Sequence, residues 1–320
     1  MQLHKKRIEM AFSVEVNKNG IFPVILLSNS AEKTGAEIYT FGALLNCFSI
    51  NSLNVIDGFS SPGNAKEDIT NGFKSARLSP FVCRLAGSKY SVNNEQYTIN
   101  KFSLGNEAIH GLLFDAVFTI TDYGADENAA IVTLQYDYTK TNEGYPFKYS
   151  CIVIYRLESK GKLSVETIIQ NNAAEAMPLC DGWHPYFTLG CKADELLMRI
   201  NSNRMLEFDN RLLPTGKIIA CDKFQQPELI AGTKLDNCFL LNENDLPACT
   251  LRNNASGLQL TILPEKSYPY LQLYIPPHRN SIAVENLSAA PDAFNNKMGL
   301  IMLQPGQSTS FKTSFKFIIE

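Results

Sequence analysis

From Ala129 to Thr139 apolar and polar positions alternate without interruption, with Val132, Leu134, Tyr136 and Tyr138 on one face and Thr133, Gln135, Asp137 and Thr139 on the other. A period of two marks a strand with one buried and one wetted face. The period repeats at Phe147, Tyr149, Cys151, Val153, Tyr155 and Leu157. After the turn Glu158-Ser-Lys-Gly-Lys162 it resumes at Leu163, Val165, Thr167 and Ile169. These two runs predict a long hairpin. The same alternation returns at Leu258, Leu260 and Ile262, at Leu271, Leu273 and Ile275, and at Phe311, Thr313, Phe315, Phe317 and Ile319.

No stretch of ten or more residues carries a convincing apolar stripe at the helical period. Ala65 to Ala76 reads as a short helix, weakened by Gly72. Many strands joined by Gly, Pro, Asn and Ser clusters, without strand-helix-strand alternation, predict an all-β fold, a large antiparallel β-sandwich with few short helices. No linker, low-complexity tract or internal repeat divides residues 1–320, so a single domain is expected.

Composition narrows the function. The chain has 320 residues, 45% of them hydrophobic, enough for a sizeable core. Its 29 Lys and Arg against 32 Asp and Glu leave a net charge of −3, so no global positive field exists to bind phosphate backbones or anionic lipid. Neither nucleic acid nor membrane is an expected partner. The longest uncharged stretch, Ile38 to Ile56, is broken by Thr40, Gly42, Asn46, Ser49, Asn51, Ser52 and Asn54, which argues against a membrane span. Lys5, Lys6 and Arg7 are followed by too short an apolar run for a signal peptide. Eight scattered cysteines without a CxxC pair fit reduced thiols in a cytoplasm. The four histidines, at 4, 110, 184 and 278, never fall at metal-ligand spacing, so no metal is expected.

Four segments concentrate polar chemistry. In Asn106-Glu-Ala-Ile-His110-Gly111 a histidine precedes a glycine that permits a tight turn at a strand mouth. Asp181-Gly-Trp-His184-Pro-Tyr-Phe187 sets the chain's single tryptophan beside a histidine and two further aromatics. Aromatic faces stack on the C–H faces of sugar rings, and an imidazole exchanges protons near neutral pH. Lys234-Leu-Asp236-Asn237 offers a carboxylate and an amide able to orient hydroxyl groups. Ser281-Ile-Ala-Val-Glu285 delivers a carboxylate at the end of an apolar run, where lost hydration makes it a better base. Each segment alone also has an ordinary structural reading: a turn histidine, core aromatics, a turn cap and a surface glutamate.

Taken together, Asn106 to Gly111, Trp183-His184-Pro185-Tyr186-Phe187, Phe208-Asp-Asn-Arg-Leu-Leu-Pro-Thr-Gly216, Leu235-Asp236 and Val284-Glu285 with Ala289-Ala-Pro-Asp-Ala-Phe-Asn295 resemble the aldose 1-epimerase (galactose mutarotase) family in order and spacing. The resemblance runs from about Glu37 to the terminal strand. It implies a β-supersandwich enzyme without cofactor, with His184 as general acid and Glu285 as general base. It further implies that His110 and Asp236 bind substrate, and that Arg84, within Phe81-Val-Cys-Arg84-Leu85, is the family's substrate-binding arginine. Trp183 or Tyr186 is the expected aromatic platform under the ring. Two positions depart from the family pattern: Cys83 stands where asparagine is common, and Leu112 where a second glycine is frequent. Both bear on which hydroxyls are read.

The implied reaction is anomer interconversion of a free aldohexose by an opposed acid and base, the partner being a monosaccharide and the protein a monomer or homodimer. Two rivals remain open. One is an epimerase of hexose 6-phosphates, for which Arg77 and Arg84 would grip the dianion. The other is a sugar-binding or sensing module on the same fold.

Overall fold

The computed structural model describes residues 11–319, so Lys5, Lys6 and Arg7 of the signal-peptide reading, and His4, lie outside the described residues. The predicted hairpin is present as Tyr149–Glu158 and Lys162–Asn171, preceded by the predicted strand Ala129–Tyr138, each of ten residues. They pair antiparallel, Ala129 opposite Glu158 and Glu158 opposite Lys162. The second turn depends on its glycine. Gly161 has φ of 60°, and a Cβ there would stand 2.3 Å from the Phe317 carbonyl oxygen.

These strands follow the edge strand Thr119–Ala125 in a nine-stranded sheet that continues through Ser308–Ile319, Leu258–Pro264, Cys249–Asn253, Leu197–Ile200 and Glu228–Leu229. A second large sheet runs in the order Pro214–Ala220, Arg204–Phe208, Asp236–Leu240, Tyr270–Tyr274, Ile282–Leu287, Gly182–His184 and Ala76–Leu78. Tyr186–Phe187 also pairs with its Ile282–Leu287 strand.

The two sheets face each other. Tyr155 meets Trp183 with ring centroids 5.8 Å apart, Phe187 meets Phe315 at 5.5 Å, and the Thr313 hydroxyl donates to Asn286 Oδ1 at 2.7 Å. A five-stranded sheet spanning Phe12–Asn54 joins the same core through Phe48 against Phe317, 4.9 Å between centroids, and through the Tyr155 hydroxyl, which donates to the Ala43 carbonyl. Every strand of the Ile282–Leu287 segment's neighbourhood contributes to one cluster of buried side chains running from Phe12 to Phe317. Each fully buried Leu or Phe in it is worth about 1.5–3 kcal/mol relative to exposure. The architecture is the all-β sandwich the alternation predicts.

The short helix departs from expectation. It spans Pro62–Asp68, not Ala65 to Ala76. Ser61 caps it, accepting from the Asn64 N–H at 3.1 Å, and Pro62 fills the first turn, where a missing N–H costs nothing. Beyond it Gly72 and Phe73 take positive φ, which ends helical geometry, and Ala76–Leu78 is already a strand.

Candidate active site

The second sheet carries the chemistry on one face. Tyr270–Tyr274 lies between Asp236–Leu240 and Ile282–Leu287, with Gln272 opposite Glu285 and Tyr274 opposite Asp236. Residues two apart in a strand share a face, so Gln272 reaches diagonally to Asp236, its amide donating to Oδ1 at 2.7 Å. On the other flank Gly182 pairs with Leu287, which brings His184 alongside Glu285. The imidazole Nε2 and carboxyl Oε1 are 3.3 Å apart, both side chains buried.

A three-stranded sheet closes the site from the side. In it Glu107–Ile109 pairs with Arg84–Leu85, Ile109 opposite Arg84, so Arg84 and His110 emerge together. His110 has φ of 62° and donates its N–H to the Cys83 carbonyl. Gly111 makes this possible: a Cβ there would lie 2.3 Å from the Ser79 carbonyl oxygen. The Ala-Ala-Pro-Asp-Ala-Phe segment secures Arg84 from behind. Asp292 donates its N–H to the Arg84 carbonyl, and its side chain accepts from the Ala86 N–H, both at 2.9 Å.

These elements enclose a cavity of about 350 Å³ lined by Arg84, His110, His184, Asp236, Gln272 and Glu285, with Cys83, Tyr186 and Tyr274 beside them. Phe208, Leu212, Leu104 and Pro291 add apolar surface to the lining. Tyr186 stacks on His184 with centroids 5.0 Å apart, and His110 meets His184 edge-on at 4.8 Å.

Burial governs the proton affinities. It pushes the His184 imidazole down to about 4. It drives His110 well below its usual range, with the neighbouring His184 and Arg84 adding to the effect. The Glu285 carboxyl is held well above the usual carboxylate range, first by burial and then by the charge of Asp236, while Arg84 and the Cys83 thiol pull the other way. Burial likewise raises Asp236, against Arg84 and Gln272. His184 and Glu285 therefore form one protonic unit in which burial favours the uncharged arrangement, a neutral imidazole beside a protonated carboxyl. The expected starting arrangement, carboxylate beside imidazolium, has the same proton count and differs by one proton shift across 3.3 Å.

A match to the aldose 1-epimerase family model covers residues 23–316. The chain belongs to the aldose 1-epimerase family. Uncharacterized protein YihR of Escherichia coli (strain K12) is 30% identical over 236 residues, 72% of this chain and 74% of that protein. The bifunctional protein GAL10 of Kluyveromyces lactis is 23% identical over 193 residues, 57% of this chain and 27% of GAL10. Among solved structures, a galactose mutarotase-like protein from Clostridium acetobutylicum superposes with a TM-score of 0.85 at 18% identity, covering 96% of this chain and 99% of its own. The galactose 1-epimerase of Lactobacillus acidophilus gives 0.82 at 20% identity, covering 96% and 97%. At these identities the likeness establishes the sandwich fold.

Within this aldose 1-epimerase fold, six of the seven residues singled out in the sequence line one cavity: Arg84, His110, His184, Tyr186, Asp236 and Glu285. Trp183 does not. Strand alternation turns it to the opposite face from His184, where it packs against Tyr155 and beneath the Arg77 guanidinium, 3.5 Å from its ring centroid. Arg77 is also directed away, fully buried and paired with Asp181. Leu112 sits in the core, whereas Cys83 faces the cavity.

Gln272 is the residue the sequence reading missed. Its polar side chain between buried Leu271 and Leu273 is the trace it leaves in the alternation, and its Oε1 is buried without a partner among the described residues. The spacing argument about metals also missed a tertiary cluster, since donor atoms of His110, His184 and Glu285 lie within 4.8 Å of one another. Metal-bound histidines normally give their second ring nitrogen to an acceptor, and Nδ1 of both His110 and His184 is buried without one among the described residues.

Proposed function

We propose that this protein is a cofactor-independent isomerase, an aldose 1-epimerase that interconverts the α and β anomers of a free aldohexose. The observation that carries this reading is the buried pair of His184 and Glu285, 3.3 Å apart at a cavity that Arg84, His110, Asp236 and Gln272 also line. The two oxygens to be addressed, the C1 hydroxyl and the ring oxygen, are bonded to the same carbon. A side-by-side acid and base therefore serves, and the groups need not stand on opposite sides of the sugar as the sequence suggested.

In the ionised arrangement Glu285 takes the proton of the C1 hydroxyl while His184 Nε2 delivers its proton to the ring oxygen. The C1–O5 bond breaks and C1 becomes an aldehyde. Rotation about C1–C2 presents the other carbonyl face. O5 then attacks, returning its proton to His184 as the new C1 hydroxyl recovers one from Glu285. Arg84, His110, Asp236 and Gln272 hold the remaining hydroxyls, and Tyr186 is the aromatic nearest the acid.

The 6-phosphate reading is weakened because Arg77 does not reach the cavity and Arg84 faces two carboxyl groups there. A binding module has no use for an adjoining acid and base. Among the described residues no helix is long and apolar enough to cross a membrane, and all eight cysteines are free. A cytoplasmic setting is proposed with the activity. Following freshly dissolved α-D-glucose, α-D-galactose and their 6-phosphates by NMR tests the reading. Accelerated anomer exchange of a free sugar supports it, and exchange at the spontaneous rate for all four refutes it.

A further inference from the structure

Among the described residues Cys83 is the lining residue whose side chain hydrogen-bonds Glu285, His184 Nε2 lying 3.3 Å from Oε1 as an ion-pair contact. Its Sγ donates to Oε2 at 3.9 Å, on the oxygen that His184 leaves free. The thiol is held there by backbone. Cys83 has φ of 48°, its carbonyl accepts from the His110 N–H, and its neighbour Arg84 is locked in register with Ile109. Only 6% of the residue is exposed, and burial keeps the sulfur protonated and hence a donor.

A thiol is a weak donor and its contact is long, so Glu285 has one feeble hydrogen bond where an alcohol or amide would give a stronger one. The other groups facing Glu285 are His184 and Tyr186 from the adjoining strands, Asp236 and Cys238 from Asp236–Leu240, and Arg84 and His110 from the three-stranded sheet. Gln272, opposite Glu285 in the ladder, donates to Asp236. We infer that Cys83 is a positioning residue that sets the proton affinity of Glu285, its weak thiol leaving the carboxyl a stronger base than a better donor at this position would. This rests on the role proposed above for Glu285 only in its consequence for turnover.

The test reads the carboxyl directly. Infrared titration of the protonated carboxyl band, assigned to Glu285 by its loss in Glu285→Gln, is run on wild type and on Cys83→Ala, Cys83→Ser and Cys83→Asn. A donor to the ionised form lowers a carboxyl's titration, and removing one raises it. The expected order of midpoints is Ala highest, then wild type, then Ser and Asn, with Ser about one pH unit below wild type. Asn tolerates the left-handed backbone, and Ser is the conservative variant if Asn perturbs folding. Coincident midpoints in wild type, Ala and Ser, or Ser titrating above wild type, overturn the inference. Because the band is measured without sugar, that failure is distinct from failure of the epimerase reading, which the exchange assay reports by itself.

Discussion

Two buried polar clusters lie on opposite faces of the sheet that holds Ala76–Leu78 and Gly182–His184, one around Arg77 and the other around His184, and they are finished differently. Behind the sheet, Arg77 Nη1 donates to both oxygens of Asp181 at 2.8 Å, Tyr268 donates to Oδ2 at 2.6 Å, and the guanidinium covers the Trp183 ring, while Arg77 Nε and Nη2 and Trp183 Nε1 have no hydrogen-bond partner among the described residues. In front, His110 Nδ1, His184 Nδ1 and Gln272 Oε1 have no partner among the described residues and belong to side chains lining the cavity. Opposite charges that answer each other hold two strands together. On the proposed reading, the open polar groups at the cavity are the ones a sugar's hydroxyls would meet. Both clusters keep unpartnered buried atoms, and what separates them is that the charge behind the sheet is answered inside the protein, whereas the open atoms in front belong to side chains that line a cavity.

The comparison breaks most sharply at the acid. His184→Asn should lower kcat by about 10²–10⁴ with the fold intact. The double variant with Glu285→Gln should be little worse than either single one, because the pair acts as a unit. Polarimetry on α-D-galactose or α-D-glucose checks both; multiplying losses would mean that the two groups act separately.

Next in size is the back cluster. Arg77→Met leaves Asp181 buried without its cation, at a cost of about 3–5 kcal/mol in urea unfolding. The fraction that remains folded should keep most of its kcat, the reverse of the His184 result. Gln272→Leu sharpens the boundary between the clusters. Loss of one hydroxyl contact and of the bond to Asp236 should raise KM by roughly 10-fold, a hydrogen bond's worth of about 1–2 kcal/mol, with a smaller fall in kcat. An unchanged KM would place Gln272 with the structural set.

The smallest effect concerns pH. His110 is held well below its unfolded proton affinity, so as pH falls below 6.5 the unfolded chain binds a proton there that the folded one refuses, whereas the proton His184 refuses is offset by the one Glu285 keeps. The stability contributed by His110 should be fully present above this window and fall as pH falls through it. The urea midpoint of His110→Asn should decline less steeply over that range than that of wild type.

Much of this was legible in the chain. Alternation located the long paired strands because their faces differ in wetting, and the His-Pro-Tyr-Phe and Val-Glu segments marked two residues that the structure brings together at one cavity, proposed here as acid and base. Trp183 was misplaced because density of aromatics was weighed without the alternation that separates it from His184. The short helix falls at Pro62–Asp68 and not at Ala65 to Ala76 because its start signal lies in the Ser61 cap and Pro62, not in an apolar stripe. Gln272 and the adjacency of His110 to His184 arise only when strands distant in sequence pair, and no local pattern encodes that register.

The most direct test of the proposed acid–base pair is exchange NMR of the anomeric protons of galactose and glucose in the presence of wild type and of Glu285→Gln, with sugar binding measured on the same samples. The account predicts α-to-β exchange peaks with wild type, and their collapse toward the spontaneous rate with Glu285→Gln while the sugar still binds. Exchange by the variant at the wild-type rate would contradict it.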